Sequence, residues 1–211
     1  MKGMRKYIYL LLMGSVVFAT LFLYLGYRHF HGPGPLAEDR AYYLEPGQGL
    51  IRTAWQLDQE GYIDGQNIFK LGVKLSGFER GLQAGEFLIP AGASMQDIMM
   101  ILSSGKVIQH RLTIVEGWTS WQVADYLNGI DNLTEPITEL PREGTILPET
   151  YLYTKNTSRH DIIRRMQMRQ LDLLDDIWDK RAPDLPFLSV DEALTLASIV
   201  EKETAIEQER A

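Results

Sequence analysis

The segment that begins at Tyr7 and ends at Tyr27 constrains this chain most, because its 21 residues carry no charge and are mostly Leu, Val, Phe and Tyr. A helix rises about 1.5 Å per residue, so such a segment spans roughly 30 Å, the thickness of a bilayer core. Tyrosines at both ends fit the two membrane–water interfaces. Basic residues are denser before the segment than after it (Lys2, Arg5 and Lys6 against Arg28). The positive-inside rule therefore predicts a single-pass anchor with a cytoplasmic N-terminus and the bulk of the chain outside.

A cleavable signal peptide is the alternative interpretation of this segment. Signal peptides have an apolar region of about 7–15 residues that ends in small residues at an A-x-A-like site. Here the apolar stretch is longer and closes with the bulky sequence Tyr24-Leu25-Gly26-Tyr27. The pattern favours an uncleaved anchor over residues 1–28.

Composition excludes several classes of function. The 211 residues include 28 acidic and 21 basic side chains, for a net charge of -7, and no cysteine. Nucleic-acid binding needs a clustered basic face, so we expect no nucleic-acid partner. The chain has no thiol for a disulfide, a nucleophile or a zinc site. Its four histidines are scattered, and no GxGxxG, P-loop or GxSxG motif is present, so we predict no metal and no cofactor.

After a linker at residues 29–41, which is rich in proline and glycine, residues 42–107 read as a compact α+β module. The spacing of the apolar residues, and the proline and glycine residues that interrupt it, predict the order strand, helix, helix, strand, helix. The strands lie near Tyr42 and Phe87, and the last helix starts at a capping box of Ser94 and Asp97. From the pattern alone, a small carbohydrate-binding fold and a spacer without a ligand are equally open.

Residues 108–211 read as a second, mixed region. The pattern predicts a strand over 107–115 and another at 151–153, joined by a helix and a proline-containing loop. Capping boxes predict three helix starts, at Thr119 with Gln122, Ser158 with Asp161, and Ser189 with Glu192.

The last helix ends in a pair of carboxylates, Glu201 and Glu203. Both flank an apolar helix face that centres near Ala193 and Val200. A carboxylate beside a buried face can be desolvated, which favours its protonated form and suits a general acid. A solvated charge run at a helix end is the commoner explanation of such a pattern, so spacing alone does not establish catalysis.

Four segments of the chain resemble the endolytic murein transglycosylases, the MltG or YceG-like family. LASIVEKET at residues 196–204 is similar to the family's signature. LTIVEGWT at 112–119 resembles its "TIPEGWT" turn, and EGTILPETY at 143–151 resembles its "EGYLFPDTY" loop. Residues 82–107 resemble the end of its LysM-like module. The resemblance implies a small LysM-like α+β module at 42–107, followed at 108–211 by the N-terminal portion of a mixed α/β YceG-like catalytic domain.

The same resemblance implies a bacterial peptidoglycan lyase of the inner membrane that acts on glycan strands and limits their length. It implies Glu203, followed by Thr204, as the catalytic acid and base, in preference to Glu201. Glu201 would then act on the substrate or on its neighbour, and Glu149 and Tyr151 would line the sugar groove. A loop-packing role for Glu149 and Tyr151 is at least as well supported. Cell-wall synthases are the further partners that this function suggests.

The family's catalytic domain extends past this glutamate through an Asn-Arg-Leu stretch and a "DPTxxY" segment, so we expect a longer parent protein. We also expect the apolar face of the last helix to be uncovered in these residues. Two alternatives to an enzyme remain: a membrane-anchored wall-binding module built on residues 42–107, and a scaffold for wall synthesis.

Overall fold

The computed structural model describes residues 2–183 and 185–203. The chain divides into two compact units between Ile108 and Gln109. The N-terminal unit contains α1 (Lys2–His31), β1 (Arg40–Leu44), α2 (Leu50–Gln59), α3 (Gln66–Leu75), β2 (Gly85–Ile89) and α4 (Met95–Ser104). The C-terminal unit contains β3 (His110–Thr113), α5 (Ser120–Asn128), β4 (Leu133–Thr134), β5 (Thr150–Tyr153), β6 (Thr157–Ser158), α6 (Arg159–Asp179) and α7 (Val190–Glu203). The predicted α+β character is confirmed.

The N-terminal unit has the predicted order of strand, helix, helix, strand, helix. β1 and β2 pair antiparallel, with Tyr42 opposite Phe87. Both rings are buried in one core with side chains from α2, α3 and α4, among them Leu57, Phe69 and Ile98. Apolar residues at helical spacing supply these faces, so burial of a shared core holds the short sheet and the three helices together.

The apolar helix α1 continues into the N-terminal unit. Within it, residues 10–31 are long and apolar enough to cross a membrane. The helix ends at His31, so residues 29–31 of the predicted linker are helical. Phe30 is only 7% exposed and packs over Gly72 of α3. His29 Nε2 lies 2.9 Å from the carbonyl oxygen of Asp64. These contacts fix the end of α1 to the core of the unit.

In the C-terminal unit, β3 and β5 pair antiparallel, with Leu112 opposite Tyr151. Their buried faces pack with α5 and α6 through Leu127, Ile162 and other apolar side chains. The observed β3 is shorter than the strand predicted over 107–115, because Val107 packs against the core of the N-terminal unit instead. The two-residue parallel pair of β4 and β6 was not predicted.

Each of the four helices begins directly after its predicted cap residue, Ser94, Thr119, Ser158 or Ser189, but not every capping box forms. The capping boxes at Ser94 and Thr119 are confirmed, with reciprocal hydrogen bonds to the third helical residue. The box predicted at Ser158 is wrong, because this residue makes no side-chain capping bond. Its hydroxyl donates instead to the carboxylate of Glu135, and Asp161 pairs with Arg164 at 3.2 Å. The hydroxyl is thus turned toward a carboxylate from another loop and not toward the backbone N–H from which a cap side chain accepts.

Arg159 is a buried cation that joins α6 to the end of α5. Its guanidinium donates to the carbonyl oxygens of Leu127 at 2.7 Å, Leu133 at 2.8 Å and Ile130 at 2.6 Å. These acceptors include carbonyls at the C-terminal end of a helix, where the helix dipole favours a positive charge. The clamp therefore fixes the position of α5, whose opposite end borders the site described below.

Candidate active-site cleft

A cleft of about 960 Å³ lies within the C-terminal unit. Its lining comes from the turn after β3, the loop before β5, the middle of α6 and the length of α7. The residues that line it are Glu116, Gly117, Trp118, Thr119, Arg142, Glu143, Gly144, Thr145, Pro148, Gln167, Leu171, Leu174, Asp191, Leu194, Thr195, Ala197, Ser198 and Glu201. This mixture of apolar and hydrogen-bonding side chains suits a polar organic ligand with carbon–hydrogen faces.

The turn that carries Trp118 depends on Gly117. Gly117 has a φ of 74°, in the left-handed region that favours glycine. The next residue, Trp118, donates its backbone N–H to the carbonyl of Val115 at 3.4 Å. Thr119 then caps α5. The chain therefore reverses sharply after β3 and presents the indole at the cleft.

Glu143 attaches the loop before β5 to the start of α5. Its two carboxylate oxygens accept the backbone N–H of Ser120 at 3.0 and 3.1 Å. Ser120 is the first residue of α5, where N–H groups lack an intrahelical acceptor and negative charge is favoured. Glu143 therefore holds two segments of the cleft wall together.

The same loop is also attached to α6 and α7. Arg142 pairs with Asp191 of α7 at 3.0 Å. The carbonyl of Gly144 accepts from Gln170 of α6 at 3.2 Å, and Leu194 of α7 packs closely on Gly144. The loop is thus held on three sides by helices that contribute to the cleft.

Of the two predicted carboxylates on α7, Glu201 lines the cleft and is half-buried. Glu203 is exposed and is not among the lining residues. Residues two apart on a helix lie about 200° around its axis, so the two side chains leave on different sides. Thr204, which the family resemblance pairs with Glu203, lies outside the described residues.

The structure places Glu149 and Tyr151 apart from this cleft. Glu149 pairs with Arg169 at 2.8 Å and lines a separate depression of about 520 Å³. Tyr151 is buried and donates its hydroxyl to the carbonyl of Leu147 at 2.8 Å. Burial, with the nearby Glu149 carboxylate, raises the pKa of Tyr151 to about 12, so the phenol is neutral at physiological pH. These contacts fit the loop-packing alternative for both residues.

The structure adds Trp118 and Glu143 to the residues that form the site. Both belong to segments that carry the family resemblance, but the sequence did not indicate what either side chain does. The glycine before Trp118 was the available signal for a tight turn. No comparable signal marks Glu143, because its acceptor role depends on a backbone N–H that is 23 residues away.

The apolar side of α7 is largely exposed in the described residues. Leu196, Ile199 and Val200 are 47%, 53% and 40% exposed. Several apolar side chains in the second half of α6, including Leu171 and Ile177, are exposed as well. The uncovered helix face that the sequence predicted is therefore present in this part of the chain.

Fold and site together define an α+β protein with one N-terminal apolar helix and an acidic cleft beside its last described helix. The model of the YceG-like family matches residues 42–211, so the chain belongs to the YceG-like family. A crystal structure of a YceG-like protein from Listeria monocytogenes is similar, with 21% sequence identity and a TM-score of 0.36. The match covers 82% of this chain and 67% of that one. A comparison with curated proteins finds no match.

Proposed function

We propose that this protein is a membrane-anchored endolytic lytic transglycosylase of peptidoglycan. The observation that carries the proposal is the family match, which extends through the carboxylate-bearing helix α7 and the cleft it borders. The enzyme cleaves the β-1,4 bond between N-acetylmuramic acid and N-acetylglucosamine without water and so limits the length of nascent glycan strands.

The proposed reaction needs one acid/base group rather than two. A protonated glutamate donates its proton to the glycosidic oxygen as the bond from that oxygen to muramic acid C1 breaks. The C6 hydroxyl oxygen of the same muramic acid then bonds to C1, and its proton passes to the glutamate. The product is a 1,6-anhydro ring, and the carboxylic acid is restored. Glycosidases that use water or a covalent intermediate need a second carboxylate, which this internal hydroxyl replaces.

Glu203 is the proposed acid/base, since it stands at the second glutamate of the family pattern. Glu201 is the competing candidate, because its half-buried side chain lines the cleft. Glutamine at each position separates the two, because it keeps the side-chain shape and removes the transferable proton.

The test digests purified sacculi and measures 1,6-anhydro-muropeptides by mass spectrometry. We expect Glu203→Gln to abolish these products and the exposed control Glu139→Gln to retain them. If Glu201→Gln loses the anhydro products and Glu203→Gln retains them, Glu201 is the acid/base instead. Absence of anhydro products from the wild-type digest would refute the lyase.

We further propose that α1 anchors the protein in the inner membrane with its N-terminus in the cytoplasm. The length and apolar character of residues 10–31 support this role. In spheroplasts, added protease should degrade the C-terminal unit but leave a tag before Lys2 intact. Protection of the C-terminal unit would contradict this topology.

Wall binding by a LysM-like N-terminal unit is a second candidate function. A groove of about 680 Å³ in this unit is lined by Trp55, which is 52% exposed, together with Ile51 and polar side chains such as Gln66. An exposed aromatic ring beside polar groups is suited to a sugar. Sacculus binding that survives Glu203→Gln and is lost in Trp55→Ala would support this function. Binding that is unchanged by Trp55→Ala would contradict a role for this groove.

A further inference from the structure

Trp118 is the one aromatic residue among the described residues that line the cleft. It is half-buried against the core of the C-terminal unit and also lines the cleft. Its ring meets that of Tyr126 with centroids 5.3 Å apart and planes at 70°. The turn at Gly117 thus places an aromatic residue beside a cleft whose wall is a mixture of apolar and hydrogen-bonding side chains.

The charge of the cleft selects among possible ligands. Its described lining residues include four carboxylates, Glu116, Glu143, Asp191 and Glu201, and one guanidinium, Arg142. That guanidinium is already paired with Asp191 at 3.0 Å. Phosphates and other anions are disfavoured by this balance. An uncharged ligand whose hydroxyl and amide groups donate hydrogen bonds matches the excess of acceptors.

We propose that Trp118 is a stacking platform for an uncharged N-acetylglucosamine ring in the cleft. The negative face of an aromatic ring attracts the polarised C–H groups on the flat side of a sugar, while carboxylates beside it accept from the sugar's hydroxyl and amide groups. The inference deepens the proposed function, since it names the sugar that one subsite of the glycan strand would occupy. Trp118 is a substrate-binding residue in this scheme and takes no part in proton transfer.

Calorimetry on the full chain in mild detergent tests the platform, with chitotetraose as the probe. This oligosaccharide contains only N-acetylglucosamine and is uncharged. We expect Trp118→Leu, which keeps an apolar side chain but removes the aromatic face, to weaken binding about tenfold, or about 1.4 kcal/mol. Trp118→Phe should stay within about threefold of the wild type. The matched control is Trp121→Leu, since Trp121 is 61% exposed and does not line the cleft; it should bind normally.

Equal affinity of Trp118→Leu and Trp118→Phe would overturn the proposal, because a purely apolar contact would then suffice. Loss of binding in Trp55→Leu, with none in Trp118→Leu, would overturn it too and assign the sugar to the groove of the N-terminal unit.

A second measurement does not depend on how well the Trp118 variants fold. Phenylalanine at positions 55, 121 and 178 leaves Trp118 as the single tryptophan of the chain. We expect chitotetraose to shift its emission to the blue, and an unchanged spectrum at saturating sugar would overturn the proposal. Chitotetraose lacks the muramic acid on which the anhydro ring forms. Stacking without anhydro products would therefore refute the lyase alone, and anhydro products without stacking would refute the platform alone.

Discussion

Gly72 lies inside α3, where alanine would ordinarily strengthen the helix by about 1 kcal/mol. The structure predicts the opposite. A Cβ added at this position would lie 2.2 Å from Phe30 Cε2 and 2.5 Å from both Cδ2 and Cζ. The ring has to leave its place against α3, and burial of such a side chain contributes about 1.5–3 kcal/mol. Overpacking of this kind costs about 1–3 kcal/mol. We therefore expect Gly72→Ala to reduce the free energy of unfolding of the N-terminal unit by about 1–2 kcal/mol.

Hydrogen exchange of the full chain in detergent, followed by mass spectrometry, measures this loss of stability as faster exchange in the peptides of α3. Gly26→Ala is the matched control, since Gly26 is also helical and has open space around its missing Cβ. In a Phe30→Ala background, Gly72→Ala should cost nothing or stabilise, because the clashing ring is gone. If hydrogen-exchange protection of α3 stays equal or rises in the single Gly72→Ala variant, the packing of Phe30 of α1 against Gly72 is refuted.

Three further predictions concern the C-terminal unit. Glu143→Ala should destabilise the unit by about 1 kcal/mol in chemical denaturation, because the first N–H of α5, that of Ser120, loses its acceptor; an unchanged midpoint would contradict this attachment. Arg159→Met should cost about 3–5 kcal/mol in the same assay, since several buried carbonyls lose their donor; a loss below about 1 kcal/mol would contradict the clamp. The pKa of Tyr151 rises from 10.0 to about 12 on folding, so the folded state holds this proton more tightly and stability should fall as pH rises from about 10 to 12. Tyr151→Phe should lower the free energy of unfolding by about 1 kcal/mol at neutral pH, because the hydrogen bond to Leu147 is lost. In a pH series, the melting temperature of this variant should nevertheless fall less than that of the wild type between about pH 10 and 12. An equal fall in both proteins would contradict the raised pKa of Tyr151.

The parts of the fold that sequence predicts well are those set by local chemistry. Apolar residues at helical spacing placed the helices of both units, and the serine and threonine caps of α4 and α5 marked their first residues. Ser158 shows where local reasoning fails. A serine followed three residues later by an acid is a valid cap, but its hydroxyl instead donates to the distant carboxylate of Glu135. Sequence spacing contains no information about that distant partner, which sets the direction of the hydroxyl.

Long-range contacts to the backbone account for most of what the sequence did not predict. Arg159 reads as a surface cation at a helix start, yet it is buried against carbonyl oxygens 26 to 32 residues away. Backbone acceptors have no residue signature, so no pattern could indicate this pairing. The cleft was indicated only in part. Glu201 and the turn at Gly117 lie in segments that the family resemblance marked, whereas the attachment by Glu143 required the structure.

The absence of water from the bond-breaking step is the central claim, and digestion of sacculi in heavy-oxygen water tests it most directly. The proposed reaction predicts new muramic acid ends that are 1,6-anhydro rings without solvent oxygen, and their loss in Glu203→Gln. Heavy oxygen at C1 of new reducing ends would show hydrolysis and contradict the transglycosylase mechanism.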